Sequence, residues 1–73
     1  MKRTELIDKL LTDLGVNDPL EFMKTYIPED IVPGICKECG LVEDSMEPDQ
    51  DRGWCEECKA NTIVGGLVLM GVI

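Results

Sequence analysis

Four cysteines, and no histidine, are the residues of this 73-residue chain best suited to do chemistry. They stand in two pairs, Cys36-Lys-Glu-Cys39 and Cys55-Glu-Glu-Cys58, with fifteen residues between the pairs. Two cysteines three apart in a tight turn aim both sulfurs at one point. A second such turn, brought back to the first, completes a tetrahedron of thiolates, the arrangement of a closed structural zinc site. The spacing therefore predicts one Zn2+ per chain, held by Cys36, Cys39, Cys55 and Cys58. Iron also suits four thiolates and is the less favoured metal. A thioredoxin-like redox CxxC needs a βαβ context that this chain is too short to supply. Gly40 follows Cys39 directly, where a left-handed residue closes such a turn without strain. Lys37 and Lys59 flank ligands, and either offset part of the site charge or are simply solvated.

Catalysis is not expected. A catalytic zinc keeps one position open and draws on histidine or carboxylate ligands, whereas four thiolates close the shell. Without histidine, no nucleophile–base pair is visible.

The chain's size calls for a staple of this kind. A domain so short buries only about 60% of its unfolded surface, and the aromatic mass is limited to Phe22, Tyr26 and Trp54. The formal net charge is -8, from 7 basic and 15 acidic residues. Four thiolates with one divalent ion add -2, giving about -10. The cations are scattered, with no basic stripe, so a duplex is disfavoured and a protein partner preferred. The segment after the basic Met1–Arg3 carries Glu5, Asp8 and Asp13, unlike a secretory leader. The uncharged run from Ala60 to Ile73 is 14 residues, short of the roughly 20 that span a membrane. A soluble, cytoplasmic protein is expected, and in that reducing compartment paired cysteines bind metal more often than they form disulfides.

At CKECG (36–40) and CEEC (55–58) the chain resembles the zinc-ribbon and rubredoxin-like families, over about residues 34–60. The resemblance implies two knuckles joined by a β-hairpin. The stretch EPDQDRGWCEEC also looks like small bacterial and phage zinc-ribbon proteins, a likeness that implies no activity. Glu56 replaces the proline usual in a rubredoxin's second knuckle, Lys59 replaces a glycine, and the aromatic cluster of an iron electron carrier is missing. A structural zinc-binding interaction or adaptor module is the expected function. A nucleic-acid-associated zinc-ribbon regulator and a rubredoxin-like iron electron carrier are the alternatives.

Around the cysteines, the elements read as follows. Thr4 is the expected cap of a first helix with apolar residues at Leu6, Ile7, Leu10, Leu11 and Leu14, stopped by Gly15. Asp18, Pro19 and Glu21 start a second helix, with Leu20, Met23, Tyr26 and Ile27 as its apolar face and Pro28 as its end. Residues 28–34 read as a linker, 41–45 as a short strand and 47–53 as an exposed loop. Trp54 is expected to pack over the hairpin or shield the metal. The C-terminal run reads either as a helix from Thr62 to about Met70 capped by Asn61, or as a strand pair turning at Gly65-Gly66. The run from Ile63 to Ile73 is expected to be buried, within the chain or against a second copy in a homodimer. The fold class is thus a small α+β, metal-stabilised zinc ribbon. A helical hairpin (1–30) packs on the ribbon and its apolar C-terminal element (31–73), as one folding unit.

Overall fold

Two short helices open the chain, α1 over Arg3–Leu14 and α2 over Pro19–Tyr26, in a computed structural model that describes residues 2–72. α1 starts ahead of Thr4. The Lys2 amide donates to Glu5 Oε1 at 3.1 Å, so a carboxylate in the first turn reaches back to the cap position and Thr4 falls inside the helix. Leu6, Leu10 and Leu11 are buried, and Gly15 ends the helix at φ 72°. There the Val16 amide donates to Leu11 O at 2.9 Å and the Gly15 amide to Thr12 O at 3.2 Å, the paired bonds of a Schellman stop.

α2 is capped as expected, with Asp18 Oδ1 accepting from the Glu21 amide at 2.9 Å. Its buried face differs from the expected one. Phe22 is fully buried, whereas Leu20 and Ile27 are 59% and 55% exposed. The one fully buried side chain of α2, Phe22, decides the rotation of the helix, because its ring docks on Gly66, where any Cβ would collide with it. Asp18→Ala is expected to cost about 1 kcal/mol by urea denaturation. An unchanged midpoint would mean that Phe22 docking alone sets the start of α2.

Four strands follow: β1 Val32–Cys36, β2 Val42–Met46, β3 Gly53–Cys55 and β4 Ala60–Gly65. They form one curled antiparallel sheet in the order β2-β1-β4-β3. Two expectations are corrected here. The linker stops at Ile31, and Val-Pro-Gly belongs to a central strand. Proline is tolerated because the β1–β2 register shifts between Val32 and Gly34, and β4 pairs with β1 only from Gly34 onward. Pro33 therefore lies where no regular ladder needs its missing N–H. The chain between the knuckles is also not a hairpin, since β2 and β3 are the two edges of the sheet. Each knuckle is instead the turn of its own hairpin, β1–β2 or β3–β4, and β1 and β4 join the two. The loop 47–52 crosses from edge to edge and is pinned where the Gly65 amide donates to Gln50 O at 2.7 Å.

Neither C-terminal alternative holds as stated. Residues 60–65 are a strand, and Gly66–Leu69 form a single helical turn, α3. The change falls at Gly65-Gly66 because the chain must leave the sheet there to lie on Phe22. From Ile63 to Met70 the run is buried within the chain except for the half-buried Val68. Gly71 and Val72 are exposed, and Ile73 lies outside the described residues.

Two apolar clusters result. The larger joins Leu6, Leu10, Phe22, Ile35, Val64 and Leu67, drawing on both helices, the central strands and α3. The smaller holds Cys36, Met46, Cys55 and Ile63. Among the described residues, no Asp, Glu, Lys or Arg is buried in either core. Arg3 ties the chain's ends together, its Nε donating to Leu69 O at 2.6 Å. Among the described residues, no helix is long and apolar enough to cross a membrane.

Candidate metal centre

β1 and β3 deliver Cys36 and Cys55 as their final residues, both fully buried. Cys39 and Cys58 follow in the turns, exposed and half-buried respectively. In the first turn the Gly40 amide donates to Cys36 O at 3.1 Å, and Gly40 takes φ 78°. In the second, the Lys59 amide donates to Cys55 O at 2.7 Å, and Lys59 takes φ 53°. The same left-handed step closes both turns, with glycine in one and lysine in the other. Lys59 is the only non-glycine among the described residues with positive φ.

These turns bring all four predicted ligands together, with every sulfur within 4.8 Å of the others. Cys36 and Cys58 Sγ are 3.7 Å apart, and Cys39 and Cys55 Sγ 3.6 Å. A tetrahedron with metal–sulfur distances of about 2.3 Å has edges of roughly 3.8 Å. The donor set therefore fits one thiolate-binding ion, and the separations are well beyond the roughly 2.05 Å of a disulfide.

The sulfurs are unequally supported. Cys36 Sγ lies 3.0 Å from Thr62 Oγ1 and accepts from the amides of Glu38 and Cys39, both at 3.4 Å. Cys55 Sγ accepts from the Cys58 amide at 3.4 Å. Burial disfavours the Cys36 thiolate, but the Thr62 hydroxyl and the two amides outweigh it, bringing its pKa down to about 6. Cys58 is pushed up to about 12, because hydrogen bonds with Cys39 and Cys36 favour its thiol and burial adds to them. The Leu41 amide works to lower Cys39, yet burial and the neighbouring sulfurs Cys36 and Cys55 leave it raised. Four thiols this close cannot all ionise without a cation among them.

Thr62 was not visible as part of the site in the sequence. It lies on β4, and its carbonyl also accepts from the Lys37 amide at 2.8 Å, so strand pairing rather than spacing brings it in. Trp54 is not buried over the hairpin or the cluster. Gly53 and Cys55 face inward on β3, so alternation turns Trp54 outward, 53% exposed. Lys37 and Lys59 are exposed, and Lys9–Asp13 is the only ion pair among the described residues. Comparison with known proteins finds no matching family model, no matching curated protein and no matching solved structure.

Proposed function

We propose that this chain is a structural zinc-binding module of the zinc-ribbon kind, without catalytic activity, that serves contacts between proteins. One observation carries the reading: four cysteine sulfurs lie within 4.8 Å of one another, with closest pairs at 3.6 and 3.7 Å. Cys36, Cys39, Cys55 and Cys58 would hold one ion and fill its coordination shell, so the metal supplies shape rather than reactivity. Thr62 and the turn amides would orient the ligands and spread their charge. The acidic balance of -8 favours a protein partner over a duplex, whose affinity rests on clustered cations. A cytoplasmic setting would keep the thiols reduced.

Elemental analysis of protein purified under reducing conditions should find one zinc per chain. A metal-free protein, or one with two metals per chain, would refute the site. A red protein containing iron would replace the structural reading with that of an electron carrier.

A further inference from the structure

We infer that Cys58 is the ligand through which the site opens, the position where electrophiles and competing ligands act first. This inference rests on the metal-binding reading above. Exposure alone points elsewhere, because Cys39 is exposed and Cys58 only half-buried. Three features together single out Cys58, the last two of them against Cys39.

Hydrogen bonding is the first. Cys36 receives the Thr62 hydroxyl and two amides, and Cys55 receives the Cys58 amide. Among the described residues, Cys58 Sγ meets no amide or hydroxyl, only cysteine sulfurs. A bound thiolate without donors keeps its electron density on sulfur and stays nucleophilic, whereas hydrogen bonds withdraw it.

The second feature is backbone strain. Lys59 holds φ 53° immediately after Cys58, where the first turn uses Gly40 at φ 78°. A side-chain-bearing residue in this region stores strain that is released when the turn relaxes. Opening at Cys58 relieves that strain. Opening at Cys39 relieves none, because glycine stores none there.

Anchoring is the third. The first turn is fastened to β4, both by the Lys37 amide on Thr62 O at 2.8 Å and by the Thr62 hydroxyl on Cys36 Sγ. The second turn has no such cross-strand fastening among the described residues. Cys58 therefore combines an undamped sulfur, partial access and a backbone that gains by moving.

The test uses the zinc-loaded full chain and substoichiometric N-ethylmaleimide. In the labelling reaction the sulfur forms a bond to the maleimide carbon, its bond to the metal breaks, and the adjacent carbon takes a proton from water. Peptide mapping by mass spectrometry should find Cys58 labelled first, about threefold or more ahead of Cys39. In parallel, Lys59→Gly should slow zinc transfer to a chromogenic chelator about threefold, as relief of the strain predicts. Labelling of Cys39 first, or an unchanged transfer rate in Lys59→Gly, would overturn the inference while leaving the metal site standing. A preparation that takes up no zinc before labelling would remove the metal-binding reading itself, and the inference with it.

Discussion

Removing the metal from the loaded protein is expected to collapse the proton–nitrogen spectrum of residues 34–60, and Cys39→Ser is expected to do the same. Structural zinc contributes on the order of 10–16 kcal/mol in zinc-finger peptides. A 73-residue domain has a net stability of only about 4–11 kcal/mol. The end of the molecule around the cysteines has little else to hold it. Its apolar cluster is Cys36, Met46, Cys55 and Ile63, and two of those four belong to the cysteine cluster itself. Without the ion, the remaining apolar contacts must oppose the repulsion of clustered sulfurs and the freedom of two tight turns. Resonances near Leu10 and Phe22 should keep more of their dispersion, since most of the larger core lies outside that range, on the helices and α3. Native-like shifts around Trp54 in the metal-free protein would show that packing, rather than the ion, organises this end.

At the other end, Phe22→Ala should remove about 3–5 kcal/mol, measured by urea denaturation with zinc present. The ring is fully buried and sits 4.7 Å from the Tyr26 ring, centroid to centroid. It also fills the space over Gly66, where a Cβ would lie 2.8 Å from Phe22 Cε1 and 3.0 Å from Pro33 O. Gly66→Ala should therefore destabilise as well, by about 1–3 kcal/mol, through overpacking. Combining Gly66→Ala with Phe22→Leu should cost less than the sum of the two, because the smaller side chain makes room for the added methyl. Strict additivity would mean that the two residues do not share a space, and would sink this account of why α3 begins with glycine.

The four-cysteine cluster was legible because it depends on local geometry. A CxxC turn needs only four residues to aim two sulfurs, and Gly15, Asp18 and Pro19 likewise signal through their own backbone chemistry. What failed depended on distant partners. Residues 63–73 offer no polar side chain to mark a face, so periodicity could not place the switch from β4 to α3. Gly65-Gly66 reads as a turn in isolation, and only Phe22, more than forty positions earlier, explains where the strand stops. Pro33 argued for a linker, and its place in a central strand follows from the register of β2 and β4. The pairing of the knuckles was hidden for the same reason. Nothing local distinguishes one hairpin between them from two hairpins around them, and the choice is made by β1 and β4 meeting.

The bond between Arg3 and Leu69 bears on how the protein is made. A growing chain presents α1 and α2 early, but Leu67, Leu69 and Met70 belong to the same core as Leu6 and Leu10. The sheet waits too, because β1 acquires β4 as a neighbour only after residue 65 has been added. During translation the amphipathic helices therefore stay without their cover until residue 70 has cleared the ribosome, and cooperative closure comes late rather than in stages. Stalled nascent chains of increasing length should stay protease-sensitive until that residue emerges, then become resistant within a few added residues.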